Sequence, residues 1–141
     1  MEGRTLYVLT ALQILAVGVV FWVVIMWNTP WNTMRYIGTI LVVVGLSLHG
    51  VARFQLGKSF SVRPEAHELV TRGLYSKIRN PIYVFGAVML AGLILVLQKP
   101  VLCIVLVAMV IVQAIRARRE ARVLETAFGD AYREYRSKTW F

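Results

Sequence analysis

The stretch Tyr83–Ile115, YVFGAVMLAGLILVLQKPVLCIVLVAMVIVQAI, decides the fold of this chain. It holds two apolar runs, Tyr83–Leu97 and Pro100–Ile115, separated only by Gln98-Lys99. Neither run contains Asp, Glu, Lys or Arg. Proline is favoured at the first position of a helix, so the second run begins with a helix-start signal. The pattern predicts a tight antiparallel pair of helices.

Two further apolar runs, Leu6–Trp27 and Tyr36–Ala52, lie upstream. The first is longer than a signal-peptide core and lacks a following small-residue cleavage site, so it is expected to be a true span. The second is just long enough, since a span needs about 17–25 residues. The hairpin runs reach that length if the turns Ile78–Ile82 and Arg116–Ala117 extend them. With 58% hydrophobic residues, the chain is predicted to be an all-α integral membrane protein of about four transmembrane helices.

The placement of Lys and Arg predicts the topology. Segment Arg53–Asn80 holds six of them and the tail from Arg116 holds seven, whereas the connections Asn28–Arg35 and Gln98–Lys99 hold one each. By the positive-inside rule, the long loop and both termini face the cytoplasm, in the inner membrane if the protein is bacterial. The net charge of +9 is therefore assigned to topology and anionic lipid rather than to nucleic acid.

Any chemistry is expected at the cytoplasmic edge, because six of the seven acidic residues lie in the two cytoplasmic segments. The absence of charge in the spans disfavours a transporter. The single cysteine, Cys103, excludes an intrachain disulfide and a cysteine-based metal cluster, so no metal is expected.

Packing predictions follow from small and periodic residues. Glycines 38, 45, 50, 86 and 92 favour close helix contacts, and His49 is interpreted as making an interhelical hydrogen bond. After Ile115, apolar residues recur at helical spacing and predict an amphipathic C-terminal helix that Gly129 interrupts. This helix is expected either on the membrane surface or against the cytoplasmic loop.

Three ordered blocks carry a family resemblance. The first runs from His67-Glu68-Leu69-Val70 through Gly73-Leu74-Tyr75, and the second is Arg79-Asn80-Pro81-Ile82-Tyr83. The third starts at Arg116 and Glu120 and ends in Phe128-Gly129-Asp130-Ala131-Tyr132-Arg133-Glu134-Tyr135. Together they resemble the isoprenylcysteine carboxyl methyltransferase family and the related small integral-membrane phospholipid methyltransferases, over a little more than half of the chain.

The resemblance implies an S-adenosylmethionine pocket, with S-adenosylhomocysteine as product. The positions implied to bind the cofactor are His67, Glu68, Leu69, Val70, Tyr75, Asn80, Pro81, Ile82, Tyr83 and Glu120. Arg116 matches a position that contacts the methyl acceptor, so Arg116 and Glu120 are the implied catalytic pair. The resemblance also implies one methyltransferase domain over residues 1–141, with a two-helix part (1–54) and a cofactor-binding part (55–141), and a continuation beyond Phe141.

The residues themselves are compatible with this chemistry. Arg116 and Glu120 are four apart and share one helix face, which places a cation for an acceptor beside an anion for a cofactor. Pro81 removes a helical hydrogen bond and extends Asn80, so the amides of residues 78–80 are expected to be free for an anion such as the cofactor carboxylate. The alternative, in which Arg116 and Glu120 have no role in binding or catalysis, is a surface ion pair.

Two positions depart from the family pattern. Asn80 stands where relatives have a titratable histidine, which argues against a general base there. Ala121 follows Glu120 where relatives have a second carboxylate. The leading hypothesis is carboxyl O-methylation of an isoprenylcysteine-like acceptor at the cytoplasmic membrane face. The alternatives are N-methylation of a phospholipid or lipid amine, and a non-enzymatic membrane adaptor with a degenerate pocket.

Overall fold

The computed structural model describes residues 3–57 and 69–141, and within them it is helical. The helices are α1 (Gly3–Met26), α2 (Thr33–Leu56), α3 (Pro81–Leu97), α4 (Cys103–Phe128) and α5 (Asp130–Lys138), with 3-10 turns at Gly73–Ser76 and Pro100–Leu102. The all-helical prediction is confirmed. Two segments, Thr33–Leu56 and Pro100–Phe128, are long and apolar enough to cross a membrane. Thr10–Met26 and Pro81–Leu97 are shorter apolar helices.

Local sequence explains where the helices begin and end. Asn32 caps α2 by accepting a hydrogen bond from the Arg35 amide (3.1 Å). Pro81 occupies the first turn of α3, and Gln98 ends that helix in the left-handed conformation with φ +52°. Of the turn Ile78–Ile82, which could have extended α3, only Pro81 and Ile82 join the helix, because Pro81 starts it. The extension of α4 past Ile115 is confirmed and reaches Phe128.

Among the described helices, α2 and α3 pack most closely, and glycines make this close contact possible. A Cβ at Gly38 would lie 2.6 Å from the Gly92 carbonyl oxygen, and one at Gly45 would lie 2.7 Å from the Met89 amide nitrogen. The two backbones thus touch without side chains between them. Val42 and Val96, which are fully buried, lie in this contact with Val24 of α1. Packing against α2 therefore fixes the position of α3, including its first turn.

Two of the five glycines do not mediate backbone contact. Nothing lies within 4 Å of a Cβ built at Gly50. At Gly86 the neighbours are two polar side chains, His49 and Gln113, at 3.7 Å and 3.8 Å. The packing prediction is thus confirmed for glycines 38, 45 and 92. At Gly86 the contact is with side chains of α2 and α4, and at Gly50 the prediction is wrong because the surroundings are open.

Arg35 is buried (2% exposed), although the sequence placed it only as a charge in a short connection. Its guanidinium donates hydrogen bonds to the carbonyls of Val24 (2.9 Å) and Thr29, and it lies 4.0 Å from the centre of the Trp31 ring. A cation at the carboxyl end of α1 satisfies carbonyls that the helix leaves unpaired. Arg35 therefore fastens the end of α1 to α2.

Large apolar side chains remain exposed on α1 and α4. Trp22 is 63% exposed and Ile104 is 69% exposed, and both belong to longer apolar faces. Contiguous apolar surface of this kind is unfavourable in water and favourable against lipid chains. The exposure agrees with a membrane protein whose outer helices contact lipid.

Candidate functional site

A second buried cluster supports the site from the α2 side. Ala52, Val70 and Tyr75 are buried together, and Ile82 packs against them at the start of α3. The Leu74 amide donates a hydrogen bond to the side-chain oxygen of Gln55 on α2 (2.7 Å). The segment from Val70 to Tyr75 is thus held against the end of α2, next to the first turn of α3.

Tyr83, Glu120 and Arg116 meet where α3 begins and α4 passes it. The Tyr83 hydroxyl donates a hydrogen bond to Glu120 Oε1 (2.5 Å). Arg116 Nη2 lies 3.9 Å from the same oxygen, and the Arg116 guanidinium carbon lies 5.7 Å from the centre of the Tyr83 ring. This tyrosine–carboxylate–guanidinium group joins the second and third sequence blocks in space. We call it the Tyr83–Glu120–Arg116 cluster.

The cluster is half-exposed, so a ligand can reach it. The side chains of Arg116 and Glu120 are 44% and 27% exposed. Within the described residues, Glu120 Oε2 accepts no hydrogen bond, and an ionised carboxylate oxygen can accept from hydroxyls or an ammonium. Arg116 and Glu120 also form the surface ion pair that the alternative predicted, and an exposed pair of this kind contributes little stability.

Two tyrosines extend the candidate site towards α5. Tyr75 is buried, and that burial raises the pKa of its hydroxyl, with Tyr135 and Glu120 nearby acting in the same direction. Tyr135 of α5 donates a hydrogen bond to the Tyr75 carbonyl (2.7 Å). Burial raises the pKa of Tyr135 to about 12. Both hydroxyls are therefore neutral at pH 7, and α5 packs over the loop rather than standing apart from it.

The C-terminal residues pair with the turn that precedes α3. The Arg79 amide donates to the Trp140 carbonyl (2.9 Å), the Asn80 amide donates to the Phe141 main-chain oxygen (2.9 Å), and the Trp140 amide donates to the Lys77 carbonyl (2.7 Å). The Asn80 side chain also donates to Phe141 (3.1 Å). The prediction of free amides at residues 78–80 is therefore wrong, because the Ile78 amide donates to the Leu74 carbonyl (3.0 Å) and the other two amides pair with the distant C-terminal segment.

Arg79 is a structural residue that the sequence motif alone did not explain. Its guanidinium donates to the carbonyls of Arg136 (3.0 Å) and Thr139 (3.1 Å) at the end of α5. A cation there satisfies unpaired carbonyls and complements the helix dipole. Arg79 thus fastens α5 to the turn, and only the tertiary pairing reveals this.

The structure brings most of the predicted site residues into one region. Those that lie together are Val70, Tyr75, Asn80, Pro81, Ile82, Tyr83, Arg116 and Glu120, with Leu69 leading into the group. His67 and Glu68 lie outside the described residues. Sequence reasoning missed Tyr135 and Arg79 as organising residues, although the tyrosine of the third block and the arginine of the second marked both positions.

Fold and candidate site together define a helical membrane protein with a cluster of polar side chains where α3 begins and α4 passes it. Residues 33–131, more than half of the chain, match the family model for phospholipid methyltransferases, and the chain belongs to this family of membrane methyltransferases. No solved structure shows a significant match.

Curated relatives support the same assignment. Protein-S-isoprenylcysteine O-methyltransferase of Rattus norvegicus is 29% identical over 124 residues, which cover 79% of this chain and 43% of the relative. The Mus musculus protein of that name is also 29% identical, with 44% of its length covered. The chain thus spans less than half the length of these curated relatives. They confirm the resemblance given by the three sequence blocks.

Proposed function

We propose that this protein transfers a methyl group from S-adenosylmethionine to a lipophilic acceptor, the carboxylate of an isoprenylcysteine-like molecule. The observation that carries the proposal is the Tyr83–Glu120–Arg116 cluster. In it the Glu120 carboxylate, a hydrogen-bond acceptor, and the Arg116 guanidinium lie side by side near the first turn of α3. The surrounding spans would hold the lipid part of the acceptor, with four membrane crossings and cytoplasmic termini.

The polar side chains of the candidate site fit the hydrogen-bonding groups of the cofactor. Glu120 Oε2 is suited to a ribose hydroxyl pair or an ammonium, and the neutral Tyr75 and Tyr83 line the same region. Leu69, Val70, Asn80, Pro81 and Ile82, together with His67 and Glu68, are proposed to complete the pocket. Because the amides of Arg79 and Asn80 are paired with the C-terminal residues, a cofactor carboxylate must find other donors.

The reaction needs little acid–base help. When bound, the cofactor supplies a methyl group on a positively charged sulfur. An ionised acceptor carboxylate would take this methyl group as a neutral ester, the cofactor would be left as a neutral thioether, and no proton would have to move. Arg116 would orient the carboxylate, and well-aligned reactants can gain on the order of 7–11 kcal/mol.

A phospholipid amine is the second candidate acceptor, because the matching family model is named for phospholipid methylation. In that case Arg116 would hold a phosphate. An ammonium, unlike a carboxylate, must lose a proton before it can attack, and Asn80 cannot accept one. This difference favours the carboxylate as first choice.

The test uses the full chain purified in detergent. Isothermal titration with S-adenosylhomocysteine should show micromolar or tighter binding that Glu120→Gln weakens at least roughly tenfold, because hydrogen bonds to a charged group are worth about 1.5–3 kcal/mol. Glu134→Gln is the matched control, since Glu134 pairs with Lys138 on exposed α5. Absence of binding at high micromolar ligand would overturn the enzyme assignment and leave the adaptor alternative.

Acceptor choice is read from radiolabelled methyl transfer to a prenylcysteine analogue and to phosphatidylethanolamine. Arg116→Ala should raise the KM for the analogue while the affinity for S-adenosylhomocysteine changes little. Transfer to the phospholipid alone would replace the carboxylate by the amine as acceptor. An unchanged acceptor KM in Arg116→Ala would remove the role assigned to Arg116.

A further inference from the structure

Helix α4 has two opposite faces, and one of them packs towards α3. Ala117 is buried on this inner face, and Glu120 accepts the hydrogen bond from Tyr83 of α3. Gln113 lies on the same face, with its side-chain nitrogen 3.8 Å from a Cβ built at Gly86 of α3. The candidate site therefore lies on one side of α4.

The opposite face of α4 is first apolar and then basic. Residues three and four apart share a helix face, and positions 104, 107, 111, 115, 118 and 122 follow this spacing. The first four are apolar and exposed, from Ile104 at 69% to Ile115 at 46%. Arg118 and Arg122 continue the same face and are also exposed, with exposed Arg119 beside them. We call these three residues the α4 arginine cluster, and the face that lipid chains would contact leads directly into it.

The α4 arginine cluster lies at the depth where the apolar segments end. Arg118 follows Ile115 by about 4.5 Å along the helix axis and Arg122 by about 10.5 Å, from a rise of about 1.5 Å per residue. Between them, Glu120 is hydrogen-bonded to Tyr83 in the first turn of α3, so the apolar part of α3 begins at the same level. The headgroup layer on each side of a bilayer is roughly 5–8 Å thick. In a membrane the three guanidinium groups would therefore lie among lipid headgroups.

The positive charge of the α4 arginine cluster is not balanced within the described part of the chain (3–57 and 69–141). There, no hydrogen bond or ion pair joins its guanidinium groups to another residue. By contrast, Arg133 and Lys138 on α5 are both paired with carboxylates. Like charges four residues apart on a helix repel each other, as Arg118 and Arg122 do, and an anion bound from outside would relieve this repulsion.

We propose that the α4 arginine cluster binds the phosphate groups of anionic phospholipids, on the side of α4 opposite the candidate site. A guanidinium can donate two parallel hydrogen bonds to a phosphate, and the adjoining apolar face offers a surface for the acyl chains of the same lipid. A zwitterionic lipid carries the same phosphate together with a cation, so a headgroup with net negative charge is favoured beside three arginines. The inference goes beyond the proposed function, because it involves neither the cofactor nor the methyl acceptor.

Native mass spectrometry of the full chain in detergent measures the dissociation constants of single bound lipids. Dioleoylphosphatidylglycerol and dioleoylphosphatidylcholine share acyl chains and phosphate and differ in net charge. The wild-type chain should bind the phosphatidylglycerol at least roughly fivefold more tightly, since one cation near anionic headgroups is worth about 1 kcal/mol, or about fivefold. The double variant Arg118→Gln/Arg122→Gln should reduce that ratio to below about twofold, because it removes two such cations.

The double variant Arg133→Gln/Lys138→Gln is the matched control, because it removes the same amount of positive charge from cations that are already paired. It should keep the wild-type ratio, and both double variants should keep the wild-type unfolding temperature. Equal loss in both would assign the preference to net charge and overturn the cluster. A wild-type ratio near one, or an unchanged ratio in Arg118→Gln/Arg122→Gln, would overturn it as well.

A second measurement needs no substitution. Raising ammonium acetate from about 0.1 M to about 1 M shortens the screening length from about 10 Å to about 3 Å, so the wild-type preference for phosphatidylglycerol should disappear. A preference that persists at the higher concentration would show that charge does not cause it and would overturn the proposal. Neither measurement contains cofactor or acceptor, so a failure of the proposed methyl transfer would be seen separately.

Discussion

Replacing Gly92 by alanine adds one methyl group at the closest approach of α2 and α3. The new Cβ would lie 2.7 Å from the Gly38 carbonyl oxygen and 2.7 Å from the Val42 amide nitrogen. Carbon contacts are favourable only near 3.5–4.0 Å, and both neighbours are backbone atoms that cannot rotate away. The helices must therefore separate, and overpacking of this kind costs about 1–3 kcal/mol.

Gly50→Ala isolates that cost because it is made in the same helix pair at a position with nothing within 4 Å. Both variants gain the same helix propensity, about 1 kcal/mol for alanine over glycine. The difference between them is then the overpacking term alone. Since 1 kcal/mol shifts Tm by roughly 2–8 °C, Gly92→Ala should unfold several degrees below Gly50→Ala.

Thermal unfolding of the detergent-purified chain measures this difference, followed by tryptophan fluorescence at matched protein and detergent concentrations. A Tm for Gly92→Ala equal to or above that of Gly50→Ala would refute the backbone contact between α2 and α3. The same change should lower methyl transfer more than stability alone explains. Displacement of α3 moves Tyr83 away from Glu120, and a shift of about 1 Å near reacting groups can cost about 100-fold.

Three further outcomes are expected. Tyr83→Phe should weaken S-adenosylhomocysteine binding roughly threefold to tenfold by calorimetry, because Glu120 loses the hydroxyl that orients it, and unchanged affinity would contradict that role. Arg35→Met should lower the free energy of unfolding by about 2–4 kcal/mol, since it leaves buried carbonyls at the end of α1 unpaired; wild-type Tm would argue against it. Stability should fall as pH rises from about 10 towards 12. Folding raises the pKa of Tyr135, so in this pH range its hydroxyl ionises in the unfolded chain while it stays neutral in the folded chain. Tyr135→Phe should flatten that alkaline slope in pH-dependent unfolding, and an unchanged slope would assign it to other groups.

Helix positions were predictable from the sequence because apolar runs and their interruptions are local. Pro81, Gln98-Lys99 and Gly129 act on their own backbone, so they fix helix ends without reference to distant residues. Helix α3 gains only two residues from the turn Ile78–Ile82, since the length that a span requires does not override a proline. Glycine packing was predicted only in part. A glycine in the sequence shows that a close helix contact is possible there, but it does not show which neighbouring atoms make that contact.

Part of the candidate site was likewise predictable from the sequence and part was not. The motif spacing brought Tyr83, Arg116 and Glu120 into one hypothesis, and the fold places them in contact. The expectation of free amides at Arg79 and Asn80 failed because Trp140 and Phe141 lie about 60 residues away in sequence and pair there only in the folded chain.

Composition, hydropathy and charge placement by themselves determined that this chain is helical and apolar, with its basic residues concentrated in two segments, since each is a sum over local properties. Only the tertiary structure decided which polar groups meet. The convergence of His49 and Gln113 on Gly86 joins three helices, and no single stretch of sequence contains it. Burial of Arg35 against α1 is of the same kind, because a charge is stable inside only where distant carbonyls have been brought to it.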